Sequence, residues 1–244
     1  IEDTIKNMTL EEKIGQLFCP IGMVPDEEYL KNSLLSKHIG GILFRSGESK
    51  EMQRIHNFLQ ENSKIPLLIA ANLEAGGDGI ATEGTAFGKQ MQIAATNDPE
   101  FAYKLGKVSC SEGEATGCNW TFAPVVDVDM NFRNPITNVR TYGNNPDVVL
   151  ENALNYLKAA KESNVAVSIK HFPGDGVDER DQHLVTSVNS LSCEEWDKTF
   201  GKIYKGLIEA GALTTMIGHI AMPAYQKALN ENFEDKIVPA TLSK

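Results

Sequence analysis

A chain of 244 residues with 41% hydrophobic and 23% charged composition is long enough to bury one sizeable core, and it is neither disordered nor fibrous in make-up. Its formal net charge of -10 works against binding nucleic acid or an anionic membrane through a basic surface. No apolar stretch approaches the roughly 18 residues of a membrane span, and no charged-then-apolar leader is present, although a chain that opens at Ile1 leaves room for a removed one.

Short apolar runs at 14–18, 41–44, 66–73, 121–128, 165–169 and 213–218 show little polar alternation and read as six buried strands. Between them lie amphipathic stretches, expected as helices over 27–37, 50–62, 99–116, 147–163 and 193–210. Thr9 with Glu12, and Ser192 with Glu195, have the spacing of a capping box, and Asp98-Pro99 and Asn145-Pro146 place a polar cap before a proline at the first helical position. Strand and helix alternating at this spacing predicts parallel strands joined by right-handed crossovers in one α/β domain over 1–244. Cys19, Cys110, Cys118 and Cys193 lack the paired spacings of a zinc site or a disulfide framework. They are read as reduced, buried thiols, which leans the chain towards a cytoplasmic location.

An open doubly wound sheet and a TIM-type (β/α)8 barrel both fit this alternation. A doubly wound nucleotide binder carries G-x-G-x-x-G in its first strand-to-helix turn, and the turn after Phe18 reads "CPIGMVPDEEYL" instead. The glycine-rich "EAGGDGIATEG" at 74–84 does not run promptly into a helix, so neither a phosphate cradle nor a cofactor is expected. In a barrel the informative positions are the carboxyl ends of the strands, which converge on one face. Asn72 and Glu74 follow the third run, Asp127 and Asp129 the fourth, Lys170 and His171 the fifth, and His219 the sixth. One polar residue where a strand reaches water is unremarkable; four successive strand ends carrying ionisable groups suggest a site.

The segment "VSIKHFPGDGVDERDQHLVTSVN" (167–189) concentrates the chemistry. His183 can move a proton near neutral pH, and Asp181 two positions earlier can fix its tautomer; the competing reading is a solvated loop. Lys170 and His171 leave a buried strand as rigid donors suited to a polyhydroxylated or anionic ligand, or else form a core histidine beside a surface lysine. Arg140, in "NPITNVRTYGNNP" (134–146), adds a planar five-donor head or is an ordinary surface arginine. No G-x-S-x-G elbow occurs, no cysteine lies in an activating context, and the irregular spacing of His171, Asp175, Asp181 and His183 disfavours a metal.

"KHFPGDGVDERDQH" (170–183) resembles the K-H-F-P-G-H-G-(x)n-D-S-H signature of the β-N-acetylglucosaminidase branch of glycoside hydrolase family 3. "MTLEEKIGQLF" (8–18) looks like the opening helix and first strand of that family. "GGILF" (40–44), "TFAPVVDV" (121–128), "NPITNVRTYG" (134–143), "MIGHIAMP" (216–223) and "VPATLS" (238–243) are similar to its later landmarks, in order. The resemblance implies a (β/α)8 barrel of which 1–244 covers about the first six strands, and hydrolysis with retention through a covalent glycosyl-enzyme. It implies that Lys170, His171 and Arg140, with Asn72 and His219 at neighbouring strand ends, hold a small carbohydrate containing β-linked N-acetylglucosamine, and that Asp181 and His183 serve as the general acid/base dyad. Two departures stand out within the chain. Asn72 occupies a position where the family commonly has aspartate, and Asp175 replaces the second histidine of the loop. The family's nucleophilic aspartate lies beyond the segment matched by 238–243, so the expectation is a barrel continued elsewhere, with a further C-terminal domain as a partner. A family 3 β-glucosidase or β-xylosidase, an N-acetylglucosamine phosphorylase and a non-catalytic sugar-binding module stay open as alternatives.

Overall fold

The computed structural model describes residues 1–229 and 237–243. Its strands are β1 (Ile21–Gly22), β2 (Gly41–Phe44), β3 (Leu68–Ala71), β4 (Trp120–Thr121), β5 (Ala166–Phe172), β6 (Ser187–Val188), β7 (Thr214–Ile217) and β8 (Ile220–Ala221). Six of them form one sheet in the order β1-β2-β3-β4-β5-β7, and every neighbouring pair is parallel. A doubly wound sheet reverses direction at a switch point, whereas a barrel wall adds each new strand to the same side. The observed order is that of a barrel wall. β6 and β8, which the sequence did not announce, pair parallel in a separate two-stranded sheet.

The first expected strand is corrected by the structure. The Thr9–Glu12 capping box forms, with Thr9 N donating to Glu12 Oε2 at 2.8 Å and Glu12 N to Thr9 Oγ1 at 3.2 Å. It launches the helix Leu10–Gly15, which consumes the start of the 14–18 run. Leu17 N and Phe18 N then bond back to Ile14 O and Gly15 O, so the rest of the run is turn. A short apolar run has no period long enough to distinguish helix from strand, and here the cap decides. The strand forms later, where Ile21 and Gly22 register with Leu43 and Phe44. The fourth strand is also shorter than 121–128: only Trp120 and Thr121 join the ladder, and contact with β5 resumes at the Val125–Lys170 bridge. Cys19 is exposed, Cys193 half-buried, and only Cys110 and Cys118 are buried as expected.

Two of the other expected caps start their helices in place, while at Asp98-Pro99 the start is shifted by one: Pro99 is the N-cap of Glu100–Ala115, and Glu100 N still donates to Asp98 Oδ1 at 3.0 Å. Asn145 Oδ1 accepts from Asp147 N at 2.9 Å, with Pro146 opening Pro146–Glu162. Ser192 and Glu195 close a second capping box, which starts a continuous helical run from Cys193 through a π segment at Asp197–Gly201 to Glu209. The expected helix at 27–37 is built in three styles: α over Glu27–Tyr29, π over Leu30–Leu34 and 3₁₀ over Leu35–Lys37.

Two hydrophobic clusters hold the layers together. One packs Ile42, Ile69 and Leu73 from the β2–β3 region against Ile55 and Leu59 of the helix Ser49–Glu61. The other packs Val126, Val167 and Ile169 against Leu105, Tyr156, Ile203 and Leu207 from three helices. Each fully buried aliphatic side chain contributes about 1.5–3 kcal/mol. Within the second cluster Gly106 lets the helix Glu100–Ala115 press on Pro146–Glu162, since a Cβ there would lie 2.8 Å from Tyr156 O. Tyr156 OH donates to Leu73 O at 2.7 Å, joining the second cluster to the first at the end of β3.

Candidate active site

The carboxyl ends of β3, β4 and β5 deliver two buried polar groups. The first is centred on Glu74. Its Oε1 accepts from Lys170 Nζ at 2.6 Å and Arg140 Nη2 at 2.8 Å, and its Oε2 from Arg140 Nε at 2.9 Å. Lys170 is 3% exposed and also donates to Asn72 Oδ1 at 3.1 Å. Burial pushes the Glu74 carboxyl up, but the Arg140 guanidinium and Lys170 ammonium outweigh it and hold the group at about 2. Burial presses the Lys170 ammonium below its ordinary range, with Glu74 opposing. Glu74 is therefore an anion that keeps two sequence-proposed sugar ligands charged and aimed.

The second group is centred on two carboxylates. Asp127, fully buried, accepts from His171 N at 3.1 Å and Asp175 N at 2.8 Å on Oδ1, and from His171 Nδ1 at 2.7 Å on Oδ2. A carboxylate only accepts, so the His171 ring proton is on Nδ1 and Nε2 is left for another partner. The Lys170–His171 peptide bond is cis. Asp175 accepts from Asn134 Nδ2, Gly176 N and Gln182 Nε2, each at 2.7 Å. Burial, and then the Asp127 charge, push the Asp175 carboxyl above its ordinary value. Gly176 is required here: its φ is +99°, and a Cβ would meet Val128 O at 2.1 Å.

Asp181 and His183 pair as the spacing suggests. Asp181 Oδ1 accepts from His183 N at 2.8 Å and from His183 Nδ1 at 2.7 Å. The backbone bond and then the ring bond hold the Asp181 carboxyl below its ordinary value. The imidazole is 61% exposed, leaving Nε2 open to solvent. Gln182 between them is buried, and it connects the loop to both Asp175 and the backbone N–H of His219, which donates to Gln182 Oε1 at 3.0 Å. The His219 side chain goes elsewhere: it is exposed, and its Nδ1 lies 3.1 Å from Thr241 Oγ1. Asn72, Lys170 and His171 are thus gathered at adjoining strand ends, with Arg140 reaching in from the turn Asn138–Arg140, whereas the His219 ring is not drawn into their hydrogen bonds among the described residues.

A model of the glycosyl hydrolase family 3 N-terminal domain matches residues 9–244. The chain belongs to glycosyl hydrolase family 3. Among family 3 relatives, the beta-N-acetylglucosaminidase/beta-glucosidase of Cellulomonas fimi is 43% identical over 100% of this chain and 43% of its own length. The beta-hexosaminidase A of Pseudoalteromonas piscicida is 33% identical over 87% of this chain and 38% of its own length. The chain therefore spans less than half of either relative. Among solved family 3 structures, the beta-glucoside phosphorylase BglX bound to 2FGlc superposes with a TM-score of 0.94 at 44% identity, covering 99% of this chain and 44% of that one. A family 3 beta-N-acetylglucosaminidase from Paenibacillus sp. gives 0.82 at 26% identity, covering 96% and 45%. These neighbours bear out the α/β barrel class expected from the strand order.

In the sequence Glu74 and Asp127 stand at strand ends and Asp175 in the loop with no pattern that assigns them these contacts, and nothing marks Gln182. Glu74 carried a signal in standing two residues after Asn72 in "NLEAGG", on the same strand exit. Gln182 carried none, because its two partners are 7 and 37 residues away.

Proposed function

We propose that the protein carrying this chain is a retaining glycosidase acting on terminal β-linked N-acetylglucosamine, with His183 as general acid/base. The observation that carries this reading is the Asp181–His183 pair, Nδ1 held at 2.7 Å by a carboxylate and Nε2 without a partner among the described residues, in a chain of family 3. A proton on Nε2 passes to the glycosidic oxygen as the C–O bond breaks and a carboxylate outside the described residues bonds to the anomeric carbon. Water then attacks that carbon, His183 takes its proton, and the carboxylate is released. Asp181 stabilises the imidazolium from which the first proton leaves and to which His183 returns when it takes the proton of water. Lys170, Arg140 and Asn72 offer two charged donors and an amide to sugar hydroxyls, and His171 Nε2 can accept from one.

Replacing His183 by alanine is the test. Turnover of substrates with poor leaving groups falls about 10²–10⁴-fold, the usual contribution of general acid catalysis, while activated aryl glycosides are largely spared. Equal loss on both classes removes His183 from the acid role. Comparing aryl N-acetylglucosaminides with aryl glucosides assigns the sugar, for which the Cellulomonas relative bears both names.

A second reading, phosphorolysis, is favoured by the 44% identity to BglX. A neutral imidazole, unlike a carboxylate base, does not repel an approaching phosphate dianion. Formation of a sugar 1-phosphate only when phosphate is present selects it. Binding of N-acetylglucosamine by calorimetry without turnover by the complete polypeptide would indicate a sugar-binding module instead.

A further inference from the structure

We infer that Gln182 is a positioning residue for the proton donor, clamping the Asp181–His183 loop to the strand ends that hold the sugar. The inference rests on the acid/base reading of His183. Among Asp181, Gln182 and His183, the side chain of His183 is 61% exposed and that of Asp181 28%, whereas the middle residue is 5% exposed with both amide atoms bonded. The amide orientation is fixed by its surroundings. His219 N–H can only donate, so Oε1 must face it at 3.0 Å, and this turns Nε2 to donate to Asp175 Oδ2 at 2.7 Å. Asp175 is itself held by Asp127, which also holds His171. One unbroken chain of hydrogen bonds thus runs from His171 through Asp127, Asp175 and Gln182 to the backbone between β7 and β8.

The geometric consequence is that the loop has two fixed points. Without Gln182 the local Asp181–His183 pair survives, because all its bonds lie within three residues. The pair would keep its chemistry and lose its place. A displacement near 1 Å costs on the order of 10²-fold in a positioned reaction.

Gln182→Met fills the same volume and removes both hydrogen bonds, so a packing role is spared and a positioning role is not. In the complete native polypeptide, the expected result is a fall in kcat of about 10–100-fold on a poor-leaving-group substrate with KM nearly unchanged, and little change on an activated aryl glycoside. Gln182→Glu gives an independent reading. The groups around that position are Asp175 in contact with it, Asp127 and His171 behind Asp175, Asp181 and His183 on either side, and the backbone N–H of His219; the Arg140 charge, held on Glu74, acts on Asp127 and Asp175 from further off. Two carboxylates in contact repel when both are ionised and bond when they share one proton. The activity of Gln182→Glu relative to wild type should therefore rise as pH falls, reporting the clamp closing. Equal losses on both substrate classes, loss that follows the melting temperature, unchanged kinetics in Gln182→Met, or a flat pH ratio in Gln182→Glu each overturn the inference. His183→Ala, run in parallel, separates the two levels. If it shows no leaving-group dependence the acid reading itself falls, and the clamp with it; if it does while Gln182→Met does not, the clamp alone is wrong.

Discussion

Replacing Glu74 by glutamine perturbs the centre of the buried ion cluster and has a calculable effect. The side chain keeps one acceptor oxygen for Lys170 Nζ and Arg140 Nη2 but turns an amide N–H₂ towards Arg140 Nε, donor against donor. A carboxyl moved from 4.5 to about 2 on folding corresponds to roughly 3 kcal/mol, at about 1.4 kcal/mol per tenfold change. The folded value is depressed, so this stabilisation is complete above the unfolded value and is lost as pH falls through the folded one. It is about 3 kcal/mol at pH 7 and about 2 kcal/mol at pH 3.5. The depressed Lys170 value has the opposite meaning: burial charges part of this gain back, and the ion pair is worth less than the carboxylate shift alone indicates. Urea unfolding of wild type and Glu74→Gln at pH 7 and pH 3.5 should show a gap that narrows on acidification, with a melting temperature lowered at neutral pH by up to roughly 6–12 °C for a chain of this size. Adding Lys170→Met should recover part of the loss, since no buried ammonium is then left unpaired. A gap that stays constant between the two pH values, or a double variant worse than the sum of its parts, would refute the electrostatic account.

Three further substitutions test other parts of the site. Asp127→Asn can still accept from the two backbone N–H groups but presents a donor to His171 Nδ1, so the ring proton should move to Nε2, visible in imidazole nitrogen chemical shifts, at a stability cost of about 1–3 kcal/mol. Gly176→Ala forces a left-handed φ of +99° on a side chain that meets Val128 O, and should destabilise by more than about 2 kcal/mol in denaturant melts. Tyr156→Phe leaves Leu73 O without its donor, and about 1 kcal/mol of stability should go with it.

Much of the frame was legible because it rests on local chemistry. The caps at Thr9, Asn145 and Ser192 act over two or three residues, and each starts a helix where its spacing indicated. The polar residues at the ends of β3 and β5 were visible because an apolar run stops at each. What failed was local ambiguity, as at 14–18, where two periods fit five residues. What was missed was long-range pairing: Glu74 meets Arg140 across 66 positions, and Gln182 meets His219 N across 37. No spacing rule reaches so far, and only the parallel register of β3, β4, β5 and β7 brings such residues together. The His219 ring illustrates the converse, since a correct strand end does not dictate where a side chain turns.

The two hydrophobic clusters have a bearing on how the site comes into being. Asn72 and Glu74 flank Leu73 of one cluster, whereas Lys170 and His171 lie within β5, whose Val167 and Ile169 belong to the other. Proteins open in cooperative units that often follow such packing boundaries. Either cluster, folded alone, would present half of the ion cage and leave Lys170 or Glu74 without its counter-charge. Because opening either cluster strands a buried charge of the other, amide hydrogen exchange should find the Leu73 and Lys170 backbones protected to the same free energy, and ligand recognition during refolding should appear only once both clusters have closed.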